Sequence, residues 1–480
     1  MPRIGTIDDR FQSYNVEMVE VTGGAFWRPY ERDGASPPGL AGLFAYRPPI
    51  DLSRVRLRRL AAALGPAYVR VSGTWANSTF FSDAEPAADA PPPGFAGVLT
   101  RWQWSGVLEF AHEVDARVVT SFATCAGVRD ASGVWAPALA RRLLEFTRSC
   151  GGNIAAAELM NEPTLAALGG APAGYDAAAY GRDFRTFLDL ARRAAPEMAI
   201  LGPGSVGETD GSWGVRDVPG ALKTRDLLAA SGGGVDGFSY HHYGAISRRG
   251  AALGLLQTAP DDALSEAWLA RTEETLSFYE RLRDELEPGA PIWLTETADA
   301  ACGGNPWAST FADTFRYLDQ LGRLARRGVQ VVAHNTLAAS DYGLLDERTL
   351  VPRPNYWGAL LWRRLMGTAV LDPGVPLREG LHVYAHSLRG APGGVALLVV
   401  NNDAAAASSL RLPVASERYT LSAPEPFARE VLLNGTALAA REDGGLPHLA
   451  GVPTAAGLVT LAPATITFLA VPRAGNAGAG

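Results

Sequence analysis

The sequence predicts an α/β fold: an eight-stranded (β/α) TIM barrel with a C-terminal β-sandwich domain. Three observations carry this prediction. Short apolar runs of strand length alternate with longer stretches of helical period from the start of the chain to about residue 365. Counting them gives eight strands, each followed by a helix. After about Met366 the helical period vanishes, and short alternating segments take over, separated by turns such as Asn434-Gly435 and Asp443-Gly444-Gly445. The barrel is expected over 12–365 and the sandwich over 366–480.

In chain order, a first strand is expected over 14–19, a helix over 53–64 capped by Asp51 or Ser53, and a second strand over 67–71 that runs into Ser72-Gly73-Thr74. Residues 83–97, rich in Ala and Pro, read as a surface loop. Helix 102–113, strand 117–122, helix 136–149 and a fourth strand over 154–160 follow. Helix 176–194 carries an apolar face at Tyr180, Phe184, Phe187 and Leu190. Strand 199–203 and helix 218–230 precede a strand over 236–240 that runs into His241-His242-Tyr243. Helix 262–286, strand 291–296, helix 309–326, strand 329–335 and helix 356–365 complete the barrel. In the tail, 382–387, 395–401, 408–412, 428–433 and 465–471 read as strands, and 474–480 as a frayed end.

Composition narrows the function. With 47% hydrophobic and 19% charged residues, the 480-residue chain is that of an ordered globular protein. A net charge of −7 argues against a nucleic-acid partner, so an anionic substrate would have to meet a local patch. Cys125, Cys150 and Cys302 are odd in number and lack metal-finger spacing, which suits buried or half-buried thiols. No apolar run approaches the ~20 residues of a membrane span. The start, Met1-Pro2-Arg3-Ile4-Gly5, lacks the apolar core of a signal peptide, so the chain is expected to be cytosolic, or exported with its signal removed or by another route.

Two carboxylates at strand ends carry the chemistry. Asn161-Glu162-Pro163 follows the apolar run Ile154-Ala155-Ala156-Ala157-Glu158-Leu159-Met160, and Ile292-Trp293-Leu294-Thr295-Glu296 closes strand seven. Hydrolysing a glycoside needs a proton on the leaving oxygen and a partner for the developing oxocarbenium ion. Two carboxylates ~5–5.5 Å apart supply both with retention of configuration. Glu162 is expected to be the acid/base, its pKa raised by the neighbouring negative charge, and Glu296 the nucleophile. The bland alternative is a pair of strand-end glutamates tied to loop amides or salt-bridged. His241 and His242 point to opposite sides of a strand, and with only His334 as a further donor, no metal and no cofactor is expected. Tyr243 is expected to donate a hydrogen bond to Glu296, and His242 to be a packing residue. The glycines of Cys302-Gly303-Gly304 let backbone N–H groups approach an anion. Trp75, Trp213, Trp307 and Tyr342 are candidates for stacking on a sugar or for packing.

At this point the motifs resemble those of heparanases and related β-glucuronidases, glycoside hydrolase family 79. The resemblance rests on Ala67-Tyr68-Val69-Arg70-Val71-Ser72-Gly73-Thr74, Glu158-Leu159-Met160-Asn161-Glu162-Pro163, Tyr240-His241-His242-Tyr243, Trp293-Leu294-Thr295-Glu296-Thr297, Asp341-Tyr342-Gly343-Leu344-Leu345-Asp346-Glu347 and Pro354-Asn355-Tyr356-Trp357, in the family's order. It implies that residues 1–11 add a strand to the sandwich and that the enzyme cleaves β-linked glucuronic acid with retention. It implies Glu162 as proton donor and Glu296 as nucleophile. Asn161 would contact the sugar 2-hydroxyl, and Glu17 and Asn335 other hydroxyls, with Thr74 near the same pocket. Tyr342 and the backbone of Cys302, Gly303 and Gly304 would bind the glucuronate carboxylate, and Tyr243 and His241 would orient the nucleophile.

Departures from the family pattern bear on the substrate. The tyrosine usual before the glycines is replaced by Ala301, and the first glycine by Cys302. Loops 164–170 and 205–214 hold no basic residue, which leaves Arg129, Arg248 and Arg249 as candidates for sulfate. The 83–97 linker is too short for the excised segment of animal proenzymes, which implies a single-chain, bacterial-type heparanase active without processing. The leading expectation is an endo-β-D-glucuronidase acting on heparan-sulfate-type chains as a monomer. The rivals are an exo-β-glucuronidase on terminal glucuronides and, in another class, a non-catalytic glycan-binding barrel.

Overall fold

The computed structural model describes residues 1–30, 42–86, 90–211, 214, 218, 220–253 and 257–479. Trp213, and parts of loops 83–97 and 205–214 and of the expected helix 218–230, lie outside the described residues. Eight parallel strands close into a barrel: Gln12–Glu17, Ala67–Ser72, Ala116–Ser121, Ile154–Glu158, Ala199–Ser205, Gly237–Tyr243, Ile292–Ala298 and Val331–His334, the last pairing with the first. Side chains alternate across each strand. On the second strand Val69 and Val71 join the large core under the helices, while Tyr68 and Arg70 point into the barrel. Tyr68, Val119, Ala156, Leu201, Trp293 and Val331 fill the interior, with the Tyr68 and Trp293 rings 4.8 Å apart. A polar layer lies above this plug, so the barrel is a packed core with its chemistry at the C-terminal rim.

Several boundaries differ from expectation. The fourth strand stops at Glu158, and Leu159 and Met160 already belong to the bend that presents Asn161 and Glu162. The helix expected over 53–64 is Val55–Ala62; its N-cap is Arg54, while Asp51 accepts from the Ser53 N–H and hydroxyl in the preceding turn. The stretch expected as helix 262–286 divides into Glu266–Leu269 and Arg271–Leu286, the first capped by Ser265. Thr224–Ser231 is the helix where 218–230 was expected. After the first barrel strand the chain adds Gly24–Trp27 and Phe44–Arg47, an antiparallel pair that the sequence reading did not contain.

Beyond the barrel, a nine-stranded antiparallel sheet packs against a two-stranded one, Ser408–Leu412 with Gly457–Leu461. Strand alternation explains the layering: Ala396, Leu398 and Val400 join the barrel core, and Val395, Leu397 and Val399 face the small sheet. The segment expected as strand 428–433 is extended only at Leu432–Leu433, whereas Met366–Leu371 and Ser416–Ser422 are additional strands. Arg3–Thr6 pairs antiparallel with Met366–Leu371, so the chain's first strand lies in the same sheet as its last, Thr465–Val471.

A buried ionic cluster ties the sheet to the barrel. His382 Nδ1 lies 2.6 Å from Asp319 on helix Phe311–Arg326, and its Nε2 2.6 Å from Glu266. Arg323 and the Tyr384 hydroxyl also bond to Asp319. Burial alone would lower the His382 pKa, but the two carboxylates outweigh it and raise it from 6.5 to about 9. A histidine held this way stabilises the fold fully below its unfolded value, and the contribution disappears as pH rises through the folded value. Thermal unfolding is therefore expected to lose stability between pH 6.5 and about 9, and His382→Gln to flatten that slope; an unchanged slope in the variant would remove His382 as its source.

Candidate active site

The two glutamates meet at the barrel rim by different backbone devices. Glu162 lies four residues past the end of its strand, at φ +49°, just before Pro163. Asn77 holds the approach: its side chain donates to the Asn161 carbonyl at 2.9 Å and accepts the Asn161 N–H at 2.8 Å. Glu296 lies within its strand, where the pairing with Gly237–Tyr243 shifts register between Leu294 and Glu296. That shift lets two successive residues reach the interior: Thr295 donates to Glu158, and Glu296 accepts from Arg70. As a result Glu162, His241 and Glu296 present carboxylate and imidazole atoms within 4.8 Å of one another.

Arg70 is the hub of this layer. Its fully buried guanidinium donates to Glu158 Oε2 (2.8 and 3.2 Å), Glu296 Oε2 (2.9 Å) and Asn161 Oδ1 (2.8 Å). Its Nη2 also faces His241 Nε2 at 3.3 Å. A guanidinium only donates, so His241 Nε2 accepts and the ring proton is on Nδ1, which donates to Glu162 Oε1 at 2.9 Å. Burial holds His241 neutral, down at about 4, although Glu296 pulls the other way. His241 had been expected to orient the nucleophile, yet its hydrogen bond goes to Glu162; Glu296 is farther, at 3.7 Å. Burial is the main cause that pushes Glu162 up to about 7, opposed by Arg70 and helped by Glu158. The expectation that a neighbouring negative charge would be the cause is thus corrected: desolvation comes first, and the charge that adds to it is that of Glu158.

Tyr243 donates to Glu296 Oε1 at 2.6 Å and accepts from Asn335 Nδ2 at 3.0 Å; the same amide reaches the Tyr342 hydroxyl at 3.2 Å. Glu17 is buried, and burial with the nearby Glu296 pushes its pKa well above the ordinary carboxylate value, against the pull of Arg70. Glu17 Oε2 and Asn335 Oδ1 are buried without a hydrogen-bond partner. Gly73 makes room for Glu17: it has φ +87°, and a Cβ there would fall 1.5 Å from Glu17 Oε2. Thr74 opens the turn Thr74–Ser78 just beyond, half-buried, with no side-chain hydrogen bond to either glutamate among the described residues.

The loop after strand seven is shaped by a second buried arginine. Arg249 donates to the carbonyls of Cys302 (3.1 Å), Gly304 (2.7 Å) and Arg28, pairs with Asp341 at 2.5 Å, and lies 3.8 Å over the Tyr30 ring. Ser340 donates to the Gly303 carbonyl at 3.0 Å. Cys302, Gly303 and Gly304 all have positive φ; their carbonyls are taken by Ser247, Arg249, Ser340 and the Asp341 N–H, and none of their own N–H groups has a partner among the described residues. A Cβ on Gly303 would fall 2.6 Å from Trp27 Cβ. Two sulfate candidates are therefore engaged elsewhere: Arg249 builds this loop, and Arg129 is buried against Asp183 and the Thr124 carbonyl. Arg248 remains exposed, 6.0 Å over the Trp307 ring. Trp75 packs with Phe26, Trp27 and Phe44, half-buried, and Tyr342 and Trp307 are buried.

A metal centre does not fit these donors. His241 is bonded to Glu162, Glu296 is bonded to Arg70 and Tyr243, and the Arg70 cation beside them would repel a second cation. His242 points the other way and is buried near Trp268 and Arg316, and His334 is bound to the Tyr342 carbonyl. Sequence reasoning missed Arg70, Glu158 and Asn77 as site residues and took Arg249 for a ligand contact. The first two carried a signal: a charge inside or closing a buried strand demands a partner.

Residues 50–322 match the N-terminal domain of glycosyl hydrolase family 79. Heparanase of Mus musculus is 30% identical over 470 residues, covering 86% of this chain and 84% of that protein. Baicalin-beta-D-glucuronidase of Scutellaria baicalensis is 33% identical over 201 residues, covering 40% and 38%. In fold, the chain is similar to a 4-O-alpha-L-rhamnosyl-beta-D-glucuronidase of Fusarium oxysporum 12S, with a TM-score of 0.63 over 97% of each chain at 13% identity. The chain is a glycoside hydrolase and belongs to glycosyl hydrolase family 79.

Proposed function

We propose that the chain is a retaining β-glucuronidase with heparanase-like endo action on glucuronic-acid linkages in heparan-sulfate-type glycosaminoglycans. Retention is supported chiefly by one observation: the Glu162 and Glu296 carboxylates approach within 4.8 Å. Inversion needs a gap of ~6.5–9.5 Å to admit a water between sugar and base.

In this reading Glu296 attacks the anomeric carbon while Glu162 transfers its proton to the leaving oxygen. The bond from carbon to leaving oxygen breaks as the ester bond forms. His241 occupies Glu162 Oε1, which leaves Oε2 to carry that proton. Water then enters; Glu162, now a carboxylate, takes its proton, and the oxygen displaces Glu296 from the sugar. Glu17 Oε2 and Asn335 Oδ1 are the buried acceptors offered to sugar hydroxyls, and Asn161 stands beside them through its bond to Arg70. The unpartnered N–H groups of Cys302, Gly303 and Gly304, with Tyr342 alongside, suit the glucuronate carboxylate.

A second reading, exo-cleavage of terminal glucuronides, is favoured by the engagement of Arg129 and Arg249 within the fold, which leaves few cations for a sulfated chain.

Three outcomes are expected. On 4-nitrophenyl β-D-glucuronide, Glu162→Gln should lower kcat/KM by about 10²–10⁴-fold. The wild-type rate should fall as pH rises through about 7, because the acid form is the one present below that value, and the variant should lack this limb. Wild-type rates in Glu296→Gln would remove that residue from the mechanism. Glucuronides should be cleaved far faster than the matching glucosides, and Gly303→Ala should erase the difference; comparable wild-type rates on both would refute the carboxylate role of the loop. Size-resolved digestion of heparan sulfate should give oligosaccharides, whereas release of monosaccharide alone would establish the exo reading.

A further inference from the structure

Glu158 makes no hydrogen bond to Glu162 or Glu296 among the described residues, yet it is a fully enclosed charge at the rim. It ends the fourth strand with no solvent exposure. One oxygen takes two Arg70 N–H groups, at 2.8 and 3.2 Å, and the other takes the Thr295 hydroxyl at 2.9 Å. Gly204 packs against it so closely that a Cβ there would fall 3.0 Å from Oε1. Burial pushes its pKa up, but Arg70 and His241 outweigh that and hold it below the ordinary value, so it stays a carboxylate. The ionisable groups around this pair come from every side: Glu17 from the first strand, His241 from the sixth, Glu296 from the seventh, Glu162 from the rim and Tyr180 from helix Ala177–Ala194.

Charge counting shows what this arrangement does. In the resting site Arg70 is positive, Glu158 and Glu296 are negative, Glu162 is protonated and His241 is neutral. Attack by Glu296 makes an ester and removes its charge, while the proton leaving Glu162 creates a charge there. The net charge around Arg70 is the same before and after; it moves from one glutamate to the other past His241. Among the three carboxyl groups, Glu158 is the one whose charge never moves.

We propose that Glu158 is a positioning residue for the reaction: as the fixed counter-ion of Arg70, it limits how much of the guanidinium's charge falls on Glu296 and on Glu162. With Glu158 neutral, Arg70 would draw on Glu296 with its whole charge, making it a poorer nucleophile and a better leaving group. Forming the glycosyl-enzyme would slow and breaking it would quicken. The same surplus charge would favour the carboxylate of Glu162. This rests on Glu296 as nucleophile and Glu162 as acid/base.

The test is Glu158→Gln, with Glu158→Asp as the variant that keeps the charge, assayed on 4-nitrophenyl β-D-glucuronide across pH. In Glu158→Gln, kcat/KM should fall tenfold or more with kcat falling less, and the alkaline limb should move to lower pH. Glu158→Asp should restore the limb to its wild-type position even where its rate is lower. A uniform loss of rate with an unmoved alkaline limb in Glu158→Gln would overturn the proposal and leave Glu158 a structural residue. Should Glu158→Gln fail to fold, the decision passes to Glu158→Asp: a wild-type limb supports the proposal, and a limb shifted to lower pH overturns it. Wild-type rates in both Glu162→Gln and Glu296→Gln would instead defeat the catalytic assignment itself.

Discussion

The rim of this barrel is built around a cation that has no access to water. A buried guanidinium is costly unless every N–H meets an acceptor and its charge is balanced nearby. For Arg70 that demand is met by Glu158, Glu296 and Asn161, with His241 filling the remaining direction. The positions of these side chains are therefore linked. The tautomer of His241 follows from Arg70, the hydrogen bond on Glu162 follows from that tautomer, and the orientation of Glu296 is set between Arg70 and Tyr243. Glu17 and Glu162, which have no guanidinium of their own, are pushed by burial toward their neutral forms. One constraint thus separates the carboxyl groups of a crowded site into those bonded to the guanidinium and those that burial pushes toward the neutral form.

A second buried arginine plays a comparable part for the loop after strand seven. Arg249 holds the carbonyls of Cys302 and Gly304; the first of these peptides leaves the Gly303 N–H without a partner among the described residues, and the second gives its Asn305 N–H to Asp299. In the proposed reading an anion meets the backbone N–H groups of this loop beside Tyr342, a role that needs no side chain from Ala301 or Cys302. The same contacts consume a cation that the sequence offered as one of three candidates for sulfate.

Much of this was legible in the chain. Parallel strands buried on both faces read as apolar runs, so Ile154-Ala155-Ala156-Ala157 and Val69 and Val71 were easy to place. Glu162 and Glu296 stood out because they close such runs, and Tyr243 because it follows one. Less accessible was anything set by register. Nothing in Leu294-Thr295-Glu296 announces that two successive side chains turn inward, since that depends on a slip in pairing with the neighbouring strand. The pair Gly24–Trp27 and Phe44–Arg47 was missed because turn-forming residues lie between short strands that do not alternate cleanly. The strand 154–160 was read too long because Leu159 and Met160 are apolar for another reason: both are buried in the core beside the rim.

The pairing of Arg3–Thr6 with Met366–Leu371 has a consequence for how the molecule comes into being. Synthesis proceeds from the N-terminus, so the chain's first strand emerges long before its partner. The first barrel strand waits similarly for Val331–His334. Neither sheet can complete itself while the ribosome is still making the middle of the chain, and Arg3–Thr6 waits unpaired until Met366–Leu371 has followed it.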